Sequence, residues 1–120
     1  PWEILSKGLD ERIYKLAEIS PRSAVLEAWR AIENEAMEIA KTELQRQGRG
    51  VEKPLLHNAL GILERGERID QRTLGLIKEL RSLRNKAAHA PEFALSIYSV
   101  LEYAAIANRL VRKLKKIHNA

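Results

Sequence analysis

The amino-acid sequence predicts an all-α fold, a compact bundle of four to five antiparallel helices. Apolar residues recur at intervals of three and four through most of the 120 residues, which is the spacing of one face of an α-helix. Sustained alternation and Asn-Gly or Asp-Gly turns, which indicate strands and hairpins, are missing from the sequence. The periodic segments are separated by connectors of a few residues, and such connectors favour antiparallel neighbours.

The first half of the chain predicts two helices. Residues 3–19 carry apolar residues at helical spacing, although Gly8 weakens this segment. Ser20-Pro21 is typical of an N-cap followed by proline at the first helical position, so a long helix is expected from there to about Gln47. Gly48 then favours its end. The expected apolar stripe of the long helix consists of Val25, Leu26, Trp29, Ile32, Ala36, Ile39, Ala40 and Leu44.

Two helices are expected in the middle of the chain. The first covers residues 54–64 and ends near Gly66. Asp70 is a suitable N-cap for the second, which ends close to His89. The predicted apolar stripe of this second helix consists of Leu74, Ile77, Leu80 and Leu83.

The last helix is expected to begin at Pro91 and to run to about Ile117 through Leu95 and Tyr98. The predicted division of the chain is an N-terminal helical extension or linker over residues 1–19 and a helical bundle over residues 20–120. Because the chain begins at Pro1, we expect an upstream region or domain in the natural protein.

Composition narrows the class of protein. The 45% hydrophobic content argues against disorder, and no apolar run is long enough to insert into a membrane. The chain has no cysteine, so disulfides and thiolate metal sites are excluded, and a cytoplasmic location is expected. Residues 1–60 hold nine Lys/Arg against ten Asp/Glu, whereas residues 61–120 hold twelve against six. A basic second half is compatible with an RNA, DNA or anionic-membrane partner, and also with an ordinary solvated helix face.

The sequence RSLRNKAAH at the end of the fourth predicted helix carries the polar residues of most interest. Positions four apart share a helix face, so Arg81, Asn85 and His89 form one row, flanked by Arg84 and Lys86. Arg84 and His89 are five apart and diverge on a regular helix. Loosening of the last turn before the proline would let His89 approach Arg84.

These residue types suit phosphodiester cleavage. Arginine binds a phosphate through a planar fork of donors and neutralises the charge of the transition state. Histidine is the side chain that titrates closest to neutral pH, and it moves the protons. RNA supplies its own 2′-hydroxyl nucleophile, so neither a metal nor a cofactor is required. A simpler interpretation is equally open, because cations in a last helical turn oppose the helix dipole.

Glu33 is a second unusual polar position, because it lies beside the apolar stripe of the long helix. A partly buried carboxylate needs a partner, and an arginine of the fourth helix is the expected one. The alternatives are a structural ion pair or a position that only borders the core.

The element Arg84-Asn85-x-x-x-His89, at the end of an apolar helix and before another long helix, resembles the R-x(4–6)-H motif of the HEPN superfamily, the higher eukaryote and prokaryote nucleotide-binding domains. Residues 20–36, with Trp29 and Glu33, are similar to the second-helix pattern of a prokaryotic branch. Residues 55–89 resemble the third and fourth helices of that branch, with the charged connector between them.

The resemblance implies a homodimer in which two motifs face each other, and in many members a metal-independent endoribonuclease that acts as a toxin, in phage defence or in RNA processing. It implies that Arg84 binds the scissile phosphate, that His89 transfers protons, and that Asn85 and Glu33 position them, with Arg81 and Lys86 in support. The open alternative is a non-catalytic module of a larger membrane-associated or defence protein, which dimerises or regulates an attached membrane or effector domain. Nucleotide binding is a third alternative.

Overall fold

The structure, a computed structural model, describes residues 11–49, 56–66, 68–90 and 95–119, and within them five helices and no strand. We number the helices α1 to α5 in chain order, and their bounds are α1 (Glu11–Ile19), α2 (Pro21–Arg46), α3 (Leu56–Arg65), α4 (Gln71–His89) and α5 (Ile97–His118). The predicted all-α bundle is confirmed. The expected helix over residues 3–10 and the expected start of the third helix at residues 54 and 55 lie outside the described residues.

Side-chain caps fix where three of the helices begin. Ser20 Oγ accepts from the N–H of Ser23 at 3.2 Å before α2, and Asp70 Oδ1 accepts from the N–H of Thr73 at 2.7 Å before α4. Both caps were predicted. A capping side chain satisfies an N–H that has no partner within the helix, so it marks the first turn.

The predicted start of the last helix at Pro91 is wrong. Leu95 is exposed and precedes the helix, and Ser96 is the N-cap, its hydroxyl oxygen accepting from the N–H of Ser99 at 3.1 Å. Tyr98 is 57% exposed and therefore does not belong to the apolar stripe. A proline fits the first position of a helix, but a serine hydroxyl at Ser96 satisfies the free N–H group of this one.

One core joins all five helices. Its buried apolar residues come from the inner faces of the helices, and the largest fully buried ones are Ile32, Ile39, Leu63, Leu74, Ile77, Leu101 and Leu114. The expected stripe of α4 is confirmed at Leu74, Ile77 and Leu80, whereas Leu83 is 41% exposed and Ala87 continues the buried face. α1 packs on α2 and α5 through the buried Ala17. The predicted division after residue 19 stays a prediction.

The helix directions follow from contacts at their ends. Arg22, at the start of α2, contacts the end of α4 at Ala90, so these two helices are antiparallel. α2 and α5 run in the same direction, because Thr42 and His118, both near C-terminal ends, lie 3.4 Å apart. α4 returns the chain between them, since Asp70 at its start pairs with Lys113 near the end of α5 and its own end meets Arg22. None of the helices in the described ranges is long and apolar enough to span a bilayer.

Candidate nucleic-acid interface

The C-terminal end of α4 stays regular up to His89. The N–H of Ala90 still donates to the carbonyl of Lys86 at 2.9 Å. The carbonyl of Ala90 accepts from Arg22 Nη2 at 2.8 Å, which ties the end of α4 to the start of α2. The predicted loosening of the last turn is therefore wrong. A free carbonyl at a helix end needs a donor, and the arginine of a neighbouring helix supplies it here.

Regular helix geometry separates Arg84 from His89. Five residues at about 100° each place the two side chains about 140° apart around the helix axis. Arg84 Nη1 donates to Asn85 Oδ1 at 3.2 Å, so the structure brings these two side chains together. His89 is exposed, and within the described residues no hydrogen bond joins it to Arg84 or Asn85. Asn85 and His89 share a face, as predicted.

Arg84 also lies close to a buried tyrosine. Tyr103 is 6% exposed, and its hydroxyl donates to the carbonyl of Leu80 at 2.9 Å. Burial raises the pKa of Tyr103, and the positive charge of Arg84 partly offsets that rise. Arg84 therefore lies near the contact between α4 and α5, and it also bonds to Asn85, which is exposed.

A groove of about 740 Å³ lies between the end of α2, α3 and α4, and we call it the α3–α4 groove. The lining residues are Leu44, Arg49, Asn58, Leu60, Gly61, Ile62, Glu64, Arg65, Lys78, Arg81, Ser82 and Asn85. Among these described residues, four are cations and one is a carboxylate. The predicted row thus meets this groove through Arg81 and Asn85. Lys86 is exposed and does not line it.

Most of the groove residues were not predictable from the sequence. Arg49, Asn58 and Arg65 come from segments that are distant along the chain, and only the packing of α3 beside α4 brings them to Arg81. The available signal was the spacing of Lys78, Arg81 and Asn85, which share one side of α4. That signal marks a polar face and does not reveal what lies opposite it.

Glu33 has a different partner from the expected one. Its carboxylate accepts a hydrogen bond from Trp29 Nε1 at 3.0 Å, one turn earlier on α2. Within the described residues, no ion pair joins Glu33 to an arginine of α4. Trp29 is buried, so Glu33 satisfies a buried indole N–H at the edge of the core.

Among the described residues, the buried carboxylate is Glu43, which was not predicted from the sequence. It is 8% exposed and accepts hydrogen bonds from Arg46 at 3.3 Å, Gln47 at 3.2 Å and Arg68 at 3.3 Å. Arg68 also donates to the carbonyl of Ile117 at 3.2 Å. We call these four side chains, Glu43, Arg46, Gln47 and Arg68, the Glu43 cluster.

The position of Glu43 was readable in principle. It lies four residues after Ile39 and three after Ala40, on the apolar stripe of α2. A carboxylate on such a stripe requires donors from the same helix or from a neighbour. Among the described residues, no group of three or more histidine, aspartate and glutamate side chains could hold a metal ion.

A comparison with known proteins finds no matching family model, no similar curated protein and no similar solved structure. The resemblance to the HEPN superfamily therefore rests on the motif and the helix patterns of this chain.

Proposed function

We propose that this protein is a HEPN-like domain that forms a homodimer and cleaves RNA without a metal ion. The observation that supports the proposal best is the pairing of Arg84 with Asn85, one helical turn before an exposed His89. Arginine, amide and imidazole groups then lie at one end of α4, where solvent or a second molecule can reach the imidazole.

In the proposed reaction the 2′-oxygen of RNA attacks the adjacent phosphorus and the bond to the 5′-oxygen breaks. The products are a 2′,3′-cyclic phosphate and a 5′-hydroxyl. Arg84 neutralises the phosphate and the charge that develops on it. A histidine removes the proton of the 2′-hydroxyl, or returns one to the leaving 5′-oxygen. His89 is assigned these proton transfers.

A homodimer would let Arg84 and His89 act together, although they diverge within one chain. Arg84 and His89 diverge by about 140° on a regular helix, so a compact site needs another way to combine them. A second copy placed against α4 supplies a second set of the same side chains, because a two-fold interface pairs equivalent surfaces. Asn85 keeps Arg84 in place through its carbonyl oxygen. Glu33 contributes only through its hydrogen bond to Trp29.

Cleavage in the presence of EDTA tests this proposal. Purified protein is incubated with structured and single-stranded RNA, and products with cyclic-phosphate ends are expected from the wild type. His89→Ala and Arg84→Ala should each lower the rate by at least about 100-fold, as expected for loss of a proton-transfer group or of an oxyanion partner. His118→Ala is the matched control, since His118 contacts Thr42 at the end of α5. If the wild type and His89→Ala leave the same products, the nuclease proposal fails.

A second candidate is a non-catalytic interaction module. Among the described residues, four large apolar side chains are exposed, namely Ile19, Leu83, Leu95 and Tyr98. Exposed apolar side chains are suited to a protein interface. On this alternative, Tyr98→Ser and Leu83→Ser should abolish self-association in sedimentation experiments, while the wild type should cleave no RNA.

A further inference from the structure

The α3–α4 groove is rich in hydrogen-bond donors. Arg49, Arg65 and Lys78 are exposed, and Arg81 is half-buried at the wall formed by α4. Two amides and one hydroxyl add uncharged donors, from Asn58, Asn85 and Ser82. A surface with this composition suits a ligand that presents many acceptor oxygens.

The positive charge of the groove is only weakly balanced from within. In the described part of the chain, Lys78 is the groove cation with a carboxylate in reach, and Glu64 Oε2 lies 4.0 Å from its Nζ. Both side chains are about half exposed, and such surface pairs contribute little. The groove therefore retains an excess of positive charge that an anionic ligand can neutralise.

Asn85 connects the groove with Arg84. Its Oδ1 accepts from Arg84 Nη1, so the amide NH₂ group is left to donate on the other side. Asn85 also lines the groove. A ligand that accepts a hydrogen bond from this amide would therefore be close to Arg84, the residue before Asn85.

Arg65 packs its guanidinium over Gly61 on α3. A Cβ atom at Gly61 would stand 3.0 Å from Arg65 Nη1, so the guanidinium would have to shift by a few tenths of an ångström. Both residues line the groove.

The lining also indicates which anion fits. Leu44, Leu60 and Ile62 add apolar side chains to the lining. Among the described residues that line the groove none is aromatic, so we expect recognition through the sugar–phosphate backbone rather than through base stacking. A groove of about 740 Å³ has the size of a small-ligand site. We therefore expect a short length of single strand, rather than a duplex, to occupy it.

We infer that the α3–α4 groove binds the sugar–phosphate backbone of single-stranded RNA and leads it past Asn85 to Arg84. The identity of the ligand as RNA rests on the proposed function. The groove itself is a separate assignment, since its four cations lie outside the Arg84–His89 pair.

Binding of a 2′-O-methyl oligonucleotide tests the groove independently of cleavage, because this probe lacks the nucleophilic hydroxyl. Fluorescence anisotropy is measured between about 50 and 200 mM salt, where four phosphate contacts to a single strand give a slope of log K against log salt near −3. In Lys78→Gln/Arg81→Gln, two lost contacts should flatten the slope by about 1.4 and weaken binding about 25-fold at 0.1 M salt.

The matched control is Arg30→Gln/Arg109→Gln, which removes the same charge from exposed positions outside the groove. It should bind within about 3-fold of the wild type, since charges beyond a Debye length are largely screened. Thermal melting checks that both double variants remain folded. Equal binding by the two double variants would overturn the assignment, and so would the absence of binding by the wild type.

Two further outcomes separate this inference from the proposed function. Competition by a poly-glutamate peptide as strong as that by the oligonucleotide would overturn RNA as the ligand. If the wild type binds the 2′-O-methyl probe through the groove but leaves unmodified RNA intact, the groove assignment is supported and the nuclease proposal fails. If the wild type cleaves RNA while the groove variant binds the probe normally, only the groove assignment fails.

Discussion

The Glu43 cluster and the α3–α4 groove are both rich in arginine, but they differ in what the arginines contact. In the Glu43 cluster, a carboxylate that is 8% exposed accepts from three side chains, and Arg68 extends the network to the carbonyl of Ile117. Among the described residues of the groove, four cations face one carboxylate, Glu64. Its Oε2 lies 4.0 Å from Nζ of Lys78.

The difference separates structural charge from charge that remains for a ligand. Burying Glu43 without donors would cost several kcal/mol, so its partners are required for folding. The groove cations keep their contact with water and need no partner for folding. Charge count alone, which is what a sequence offers, does not distinguish these two cases.

The largest expected change in the free energy of unfolding comes from a substitution in the Glu43 cluster. Glu43→Ala should lower the free energy of unfolding by about 3 kcal/mol, because it leaves the half-buried Arg68 without its carboxylate. Chemical denaturation with urea measures the change. The matched variant in the groove is Glu64→Ala, for which we expect less than about 0.5 kcal/mol. It should also bind the 2′-O-methyl oligonucleotide more tightly, since it removes the groove carboxylate. Similar losses in the free energy of unfolding of both variants would contradict the distinction between structural charge and charge that remains for a ligand.

Tyr103→Phe is expected to have an intermediate effect. It removes the hydroxyl that donates to Leu80 and leaves a buried carbonyl without that donor, at a cost of about 1 kcal/mol. Burial raises the pKa of Tyr103, so the unfolded chain loses this proton at lower pH than the folded protein. Its contribution is therefore complete below about pH 10 and declines as the pH rises further. Urea midpoints at neutral and alkaline pH should show a steeper decline for the wild type than for Tyr103→Phe.

Gly61→Ala should separate stability from binding in the groove. Alanine is favoured over glycine inside a helix by up to about 1 kcal/mol, so the melting temperature should rise slightly. The new Cβ shifts the guanidinium of Arg65 by a few tenths of an ångström, and oligonucleotide binding should fall by at most about 2-fold. Gly75→Ala on α4 is the control, because nothing lies within 4 Å of its added Cβ. Weaker binding in both variants would show that Arg65 is not the cause.

The smallest expected effect concerns the start of α4. The N–H of Thr73 holds the pKa of Asp70 below its ordinary value of 3.8, and Lys113 adds to this. Because the folded-state pKa is the lower one, Asp70 stabilises the protein above about pH 4, and the contribution is lost as the pH falls below that. Asp70→Asn keeps a capping oxygen and has no carboxyl to titrate. Its melting temperature should fall less between pH 6 and pH 3 than that of the wild type; an equal fall would contradict this.

The sequence determined the helices themselves. Apolar spacing places the inner faces of α2 and α4, and the caps at Ser20 and Asp70 mark their first turns. These features depend on neighbours a few residues apart, and so they are readable locally. The start of α5 was misjudged because Pro91 and Ser96 are both plausible beginnings, and local preference does not choose between them.

Only the tertiary structure decided which polar residues meet. Arg22 keeps the end of α4 regular, so Arg84 pairs with Asn85 and not with His89. Glu33 accepts its hydrogen bond from Trp29 rather than from an arginine. The packing of α3 beside α4 gathers the cations of the groove. The physical reason is that helix periodicity fixes directions around one axis, whereas contacts between helices depend on how the axes pack, and that is set by the whole core.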